Sequence, residues 1–159
     1  MSRSRRLVRI VFTFLHGLRR ALWKVAGPGR PGVHALPLTE RGRVVLVLLT
    51  YAPGWRLPGG GRGRKEAPEA AVLRELREEI GLVSHGRIER LEDGRPDSVL
   101  PGDRSAFFLV RDVVYRPRRS LEIEAVREFD PRRLPDDISP WTAHIVQKWT
   151  QGPYPSSRT

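Results

Sequence analysis

Three glutamates near the middle of the chain, Glu75, Glu78 and Glu79, stand at relative positions i, i+3 and i+4. On a helix this spacing places the three carboxylates on one face, close enough to share a cation. Like charges at such spacings destabilise an isolated helix by roughly 0.2–0.5 kcal/mol per pair. A hard divalent metal ion, which prefers oxygen ligands, would offset this repulsion. The spacing therefore predicts a helix whose acidic face binds a metal ion.

The segments around these glutamates predict a strand, a glycine-rich loop and then the helix. Residues 43–51 form a short apolar run rich in β-branched side chains, typical of a buried strand. Residues 55–61, which contain a proline and three glycines, are expected to break any regular element. Pro68 suits the first turn of a helix, and Gly81 suits its end.

One further pattern predicts how this helix packs. Leu73, Leu76 and Ile80 follow a helical spacing and are expected to form an apolar stripe on a side away from the glutamates. Such a stripe would pack against a sheet.

The stretch from residue 60 to residue 82 resembles the Nudix box. That box consists of Gly, five residues, Glu, seven residues, and then Arg-Glu-aliphatic-any-Glu-Glu-any-Gly-aliphatic. Its fixed positions are all filled at the right spacing, by Gly60, Glu66, Arg74, Glu75, Leu76, Glu78, Glu79, Gly81 and Leu82. An ordinary acidic surface helix would explain the glutamates and the final glycine, but not the distances to Gly60, Glu66 and Arg74.

The resemblance implies hydrolysis of a diphosphate bond in a nucleoside diphosphate linked to another moiety, by attack of water on phosphorus. It implies Mg²⁺ as the cofactor, with Mn²⁺ as the alternative ion, because carboxylates would repel a diphosphate unless metal ions lay between them. Glu75, Glu78 and Glu79 are then the metal ligands, and the general base belongs to the same set. The predicted catalytic residues are Glu75, Glu78 and Arg74, the last orienting a glutamate.

Further residues receive roles from the same resemblance. The Gly60 carbonyl is an additional metal ligand, and Glu66 and Gly81 shape the loop and the helix end. Arg62, Arg64 and Lys65 lie in the glycine loop and are candidate substrate-binding residues, since arginine suits phosphate contacts. A solvated loop that is simply basic is the alternative.

A distant acid, Glu122, is the candidate for one more metal ligand. Residues 122–135 resemble a frequent C-terminal Nudix stretch that begins with an acid and ends with Leu-Pro. The stretch departs from that pattern at Ala125, where a second acid often stands, and at Glu128, where tryptophan is common. The alternative for Glu122, an exposed strand residue, stays open.

The resemblance over residues 33–151 implies an α/β fold, a Nudix-like α/β/α sandwich with a mixed curved sheet. An N-terminal amphipathic helix precedes it. The predicted strands are 33–38, 43–51, 86–92, 104–114 and 122–129, and the predicted helices are 7–25, 68–80 and 139–150. The predicted organisation is a basic amphipathic helix at 1–26, a Gly/Pro linker at 27–32, the Nudix domain at 33–151 and a flexible tail at 152–159.

The charge of the chain is unevenly distributed. Residues 1–32 contain eight Lys or Arg and no acid, so they supply +8 of the net charge of +11 and leave only +3 for the rest. A nucleic-acid groove on the domain is therefore weakly supported, and nucleic acid is the less favoured partner. The favoured partner is a small nucleotide-diphosphate substrate.

The basic N-terminal segment also has an apolar stripe, formed by Leu7, Val11, Phe14, Leu18, Leu22 and Val25. Residues 1–25 are therefore expected to form a helix suited to an anionic membrane surface, too short and too charged to span the bilayer. Docking of the stripe on the domain or on a second subunit of a homodimer stays open, as does a transit peptide. Together with zero cysteines, which fit a reducing compartment, this predicts a cytoplasmic protein, peripheral at the membrane face.

Two other function classes are weighed against the hydrolase. A non-hydrolytic diphosphate isomerase of this fold usually brings cysteine chemistry, and this chain has no cysteine. A membrane-associated nucleotide-binding or regulatory module would normally have lost acids of the box, and here all are present. Substrate identity, the general base among the glutamates and the oligomeric state are not fixed by the sequence.

Overall fold

A computed structural model of the chain describes residues 32–91, 105–117 and 120–151. The strands are β1 (Gly32–Pro37), β2 (Val44–Leu49), β3 (Ala52–Arg56), β4 (Gly59–Gly61), β5 (Leu82–Ser84), β6 (Ile88–Leu91), β7 (Ala106–Val110), β8 (Val114–Tyr115) and β9 (Ile123–Phe129), and the helices are α1 (Pro68–Glu79) and α2 (Pro140–Gln151). The predicted N-terminal helix and C-terminal tail lie outside the described residues. So does the predicted linker, except that Gly32 begins β1.

The strands form three sheets. A mixed four-stranded sheet has the order β4-β1-β7-β6, in which β1 and β7 run parallel. An antiparallel three-stranded sheet has the order β3-β2-β9, and β5 and β8 form a short antiparallel ribbon. The predicted α/β class with a mixed sheet is confirmed, but the strands are divided among three sheets.

Two apolar clusters fill the spaces beside these sheets. One joins α1 to alternate residues of β1, β2 and β7, among them Val33, Val45 and Phe108. The other lies on the opposite faces of the same strands and includes Leu36 and Ile145, the latter on α2. Because side chains of a strand alternate between faces, each of these strands contributes to both clusters. The two helices thus cover opposite sides, as the sandwich prediction requires.

Helix α1 begins and ends where the sequence predicts. Pro68 lies in its first turn, where its missing N–H costs no helical hydrogen bond. Gly81 follows the C-cap residue Ile80 and has a φ of 71°, a conformation that favours glycine. A Cβ at Gly81 would also collide with the Arg116 carbonyl.

The predicted stripe of Leu73, Leu76 and Ile80 does pack in the cluster beside the sheet, but, contrary to the prediction, it is not separate from the glutamates. Glu75 and Glu79 are only 2% and 3% exposed and are buried together with Leu76. The prediction was wrong because α1 packs against β4, whose residues are all glycine. A strand without side chains leaves room for carboxylates between itself and the helix.

The prediction that residues 55–61 break any regular element was also wrong. Trp55 lies in β3, is 5% exposed and packs edge-to-face against Phe129. The next strand, β4, pairs antiparallel with β1. An edge strand made of glycines has no side chains. It therefore lacks the hydrophobic alternation from which strands are predicted.

Three predicted strands are shorter than expected. The strand predicted at 86–92 begins only at Ile88. Residues 43–51 were predicted as one strand, but Thr50 and Tyr51 form a turn after β2. The predicted strand 104–114 stops at Val110, and Asp112 adopts a φ of 53°, which interrupts the extended backbone before β8. In the described ranges, neither helix is long and apolar enough to cross a bilayer.

Candidate active site

The predicted site residues meet where α1 packs against β4. The Gly59 amide donates a 2.8 Å hydrogen bond to Oε2 of Glu79. A Cβ added at Gly60 would lie 2.7 Å from the carboxyl carbon of Glu75. Both carboxylates therefore lie directly against the backbone of the glycine strand, a position that a side chain on Gly60 would obstruct.

Arg74 connects the helix to the loop that follows β4. Its guanidinium donates to both oxygens of Glu66, from Nε at 2.8 Å and from Nη2 at 3.1 Å. The same group donates to the Gly61 carbonyl at 3.0 Å and, from Nη1, to Glu75 at 2.8 Å. A further ion pair to Glu78 measures 3.5 Å. The hydrogen bond to Glu66 raises the pKa of Arg74 further above its usual range, so this side chain stays charged.

Glu66 closes the loop between β4 and α1. Its Oε2 accepts a 2.9 Å hydrogen bond from the amide of Gly63, and its own amide donates to the Gly63 carbonyl at 3.1 Å. Together with the bonds from Arg74, these contacts hold the loop from both sides. The loop-shaping role of Glu66 stays a prediction.

The three box glutamates have different surroundings. Glu75 and Glu79 are buried, whereas Glu78 is exposed. These carboxylates and the Gly60 carbonyl are hard oxygen donors of the kind Mg²⁺ prefers, so the chemistry of the donor set fits such an ion. Within residues 32–91, 105–117 and 120–151, no three acid, histidine or cysteine side chains already surround a common point. Glu75 and Glu79 are instead directed to Arg74 and to the Gly59 amide.

The basic residues of the loop are not equivalent. Arg62 directly follows β4 and is half-buried, with its Nε shielded from solvent. Arg64 and Lys65 are exposed. Hydrogen bonds to the Gly61 carbonyl and from the Gly63 amide flank Arg62 in the chain.

Glu122 is half-buried, and its Oε2 is shielded from solvent. It stands one residue before β9, next to Ile123, which packs in the cluster that contains α1. These positions differ from those of an exposed strand residue, the alternative that the sequence left open.

Sequence reasoning missed two residues of this region. Gly59 supplies the amide that binds Glu79, and the run of three glycines was a signal that the backbone is closely approached there. Thr50 donates its hydroxyl to the Leu121 carbonyl at 3.0 Å, beside Glu122. Nothing in the sequence indicates that pairing, because it depends on how β2 and β9 align.

Comparisons with known proteins agree with this geometry. A family model described as NUDIX domain matches residues 28–149. An RNA pyrophosphohydrolase of Pseudomonas paraeruginosa is 28% identical over 115 residues, which cover 64% of this chain and 72% of that protein. An RNA pyrophosphohydrolase of a Marinomonas species is 39% identical over 56 residues, 35% of each chain.

Solved structures show the same fold. A MutT NUDIX hydrolase from Burkholderia pseudomallei matches with a TM-score of 0.57 and 24% identity, over 77% of this chain and 99% of that one. An ADP-ribose pyrophosphatase from Streptococcus suis matches with a TM-score of 0.57 and 19% identity, over 79% of this chain and 94% of that one. At these identities the likeness supports the architecture and leaves the substrate open.

Proposed function

The chain belongs to the Nudix family as a Nudix-type pyrophosphohydrolase, and we propose that it uses Mg²⁺ to hydrolyse a diphosphate bond in a nucleoside diphosphate linked to another moiety. The observation that carries this proposal is the position of Glu75, buried against Gly60 and hydrogen-bonded to Arg74. Burying a carboxylate costs free energy unless its charge is paired with a cation or coordinates a metal ion. Here the partner, Arg74, also anchors the loop that follows β4.

The residues that would hold the metal ion are Glu75, Glu78, Glu79 and the Gly60 carbonyl, with Glu122 as a further ligand. When bound, the ion supplies polarisation of a phosphoryl oxygen and a more acidic water. Mn²⁺ offers similar coordination and is the alternative ion.

The protein side chains orient the catalytic carboxylate, accept a proton and neutralise the charge of the substrate. Arg74 keeps Glu75 in one orientation through a charge-assisted hydrogen bond of 2.8 Å. A carboxylate of the box accepts the proton of the attacking water. Arg62, with Arg64 and Lys65 at the loop surface, neutralises oxygens of the diphosphate.

A second candidate substrate is a 5′-triphosphorylated RNA. It is favoured by the name RNA pyrophosphohydrolase that the Pseudomonas and Marinomonas relatives carry. The eight basic residues among positions 1–32 would suit a polyanion. The small-molecule substrate stays the leading proposal because the charge outside this segment is only slightly positive.

The deciding experiment is a substrate panel with Mg²⁺, followed by identification of the products. The panel contains dinucleotide polyphosphates, nucleotide sugars, ADP-ribose, nucleoside triphosphates and a 5′-triphosphorylated RNA. We expect turnover of a diphosphate-linked nucleotide, abolished by a metal chelator and strongly reduced in Glu78→Gln and Glu79→Gln. Glu69→Gln, an exposed glutamate in the first turn of the same helix, is the matched control and should behave like wild type. Full activity in both box variants would refute the proposed metal-dependent hydrolysis at this site.

Membrane binding through residues 1–25, a cytoplasmic location and a homodimer remain predictions from the sequence. Co-sedimentation with anionic and with neutral liposomes at low salt tests the first. Failure of the full-length protein to sediment with anionic vesicles would count against it. Sedimentation equilibrium over a range of protein concentrations tests the dimer.

A further inference from the structure

The end of β2 is irregular against both of its neighbours. Leu48 pairs with Ala125 of β9, whereas the next residue, Leu49, pairs with Ile123. The register with β3 shifts at the same point. Extra residues in a partner strand bend the ladder and re-aim the side chains beyond it. The backbone at Thr50 therefore leaves the sheet from a locally bent end.

The bulge also affects which side chains of β9 join the apolar cluster to which α1 contributes. Ile123 and Val126 both pack in the cluster that contains α1, although an unbroken alternation would place residues three apart on opposite faces. Glu122 therefore leads into β9 directly before a side chain of the cluster to which α1 contributes.

Thr50 holds the backbone on the C-terminal side of Glu122 and at the residue before it. Its amide donates to the Glu122 carbonyl at 3.0 Å, and its hydroxyl donates to the Leu121 carbonyl at 3.0 Å. The Glu122 amide in turn donates to the hydroxyl of Ser120 at 3.1 Å. Both backbone polar groups of Glu122 are therefore fixed by hydrogen bonds.

The hydroxyl of Thr50 is not required by the apolar core. Thr50 is exposed, and the neighbouring Leu121 is 69% exposed. Substitutions at such positions usually change global stability little. The Thr50 hydroxyl donates its hydrogen bond to the segment before Glu122. Its main effect is therefore on the orientation of that segment.

We infer that Thr50 is a positioning residue, whose hydroxyl fixes the 121–122 peptide so that the Glu122 carboxylate is presented to the metal ion of the active site. The inference rests on the proposed function, in which Glu122 is a metal ligand from outside the box. Thr50 would then orient the metal ligand Glu122 from outside the set of residues that bind the ion. Loss of such residues typically reduces metal affinity or activity by about 10- to 100-fold.

The test compares five variants of the full-length protein. Thr50→Val keeps the β-branched shape and removes the hydroxyl, and Thr50→Ser keeps the hydroxyl. Thr39→Val is the matched control, because Thr39 accepts a hydrogen bond from the Arg43 amide in the turn before β2, at the other end of the same strand. Glu122→Gln and the double variant with Thr50→Val complete the set.

Two readouts are measured, the Mg²⁺ concentration that gives half-maximal turnover and the binding of Mn²⁺ followed by electron paramagnetic resonance. We expect Thr50→Val to weaken both by about tenfold, with a melting temperature close to that of wild type. Thr50→Ser and Thr39→Val should match wild type. The double variant should be no worse than Glu122→Gln alone, because a positioning residue has no effect once its ligand is gone.

The inference would be overturned by wild-type metal dependence in Thr50→Val, by equal impairment in Thr50→Ser, or by additive losses in the double variant. A wild-type Glu122→Gln together with inactive Glu78→Gln and Glu79→Gln would also overturn it, while leaving the proposed function intact. Full activity in the two box variants would instead refute the proposed function itself.

Discussion

Arg74 and Glu66, eight residues apart, are joined by two parallel hydrogen bonds of 2.8 and 3.1 Å, one from Nε and one from Nη2. This fork leaves Nη1 of Arg74 directed to Glu75 on the same helix. The planar guanidinium of Arg74 therefore fixes the position of the Glu66 loop relative to the candidate catalytic carboxylate of Glu75.

We predict that Arg74→Lys lowers turnover by about 10- to 100-fold, as is typical when an outer residue that orients a ligand is lost. A lysine ammonium cannot reproduce the bidentate contact to Glu66 while also reaching Glu75. Steady-state kinetics measures the loss. Arg77→Lys, an exposed change on the same helix, should leave the rate unchanged. Equal rates in the two variants would contradict the role of Arg74.

Gly60→Ala is expected to abolish most activity while leaving the protein folded. The new methyl group would stand 2.7 Å from the carboxyl carbon of Glu75, so that carboxylate must move. Gly42→Ala gives the opposite pattern, because Gly42 has a φ of 69° and nothing within 4 Å. It should cost about 1 kcal/mol of stability from backbone strain and keep the wild-type rate. Urea unfolding and initial rates on both variants check the contrast.

Mg²⁺ should stabilise the folded protein. At about 100 times its dissociation constant, an ion that binds only the native state adds about 2.7 kcal/mol to the free energy of unfolding. We expect a chelator to lower the melting temperature of wild type to its metal-free value and to have little effect on Glu75→Gln. Calorimetric melting at constant ionic strength measures this. The same Mg²⁺-dependent rise in Glu75→Gln would remove that residue from the metal site.

Stability should fall at alkaline pH through Tyr115. Burial, and then the neighbouring Glu128 carboxylate, raise the pKa of Tyr115 from 10.0 to about 12. Between these values the unfolded chain has lost the phenolic proton and the folded chain retains it, so stability decreases as pH rises through this window. Below pH 10 the contribution of Tyr115 is fully present.

Tyr115→Phe should therefore lose less stability than wild type between pH 10 and pH 12. At pH 8 the variant should be less stable by about 1 kcal/mol, because it lacks the 3.1 Å hydrogen bond to Glu128. Denaturant unfolding at a series of pH values provides both comparisons. If the free energy of unfolding fell equally with pH in the two proteins, Tyr115 would not be the cause of the alkaline loss of stability.

The features that the sequence predicted correctly are those fixed by neighbours in the chain. Pro68 and Gly81 mark the helix ends because their backbone restrictions act locally. The spacing of the box glutamates is likewise a property of one helix. The bond from Arg74 to its neighbour Glu75 is equally local, whereas the bonds to Glu66 were not predicted.

The features that the sequence did not predict depend on what lies across a sheet or an interface. The burial of Glu75 and Glu79 follows from the packing of α1 on a strand without side chains, and no periodicity within the helix reveals that partner. The bond between Thr50 and Glu122 requires a specific register of β2 against β9, and a shift of one residue would remove it.

The separation of these contacts along the chain has a consequence for how the site assembles. The hydrogen-bonding partners of Arg74 lie 1, 8 and 13 residues away, whereas the bonds from the Thr50 hydroxyl span 71 and 72 residues. Closing a short loop costs less chain entropy than closing a long one. The contacts around Arg74 can therefore order early and locally, although α1 also packs in the cluster with β1, β2 and β7. The hydrogen bonds that Thr50 makes beside Glu122 form only with the completed β2–β9 ladder.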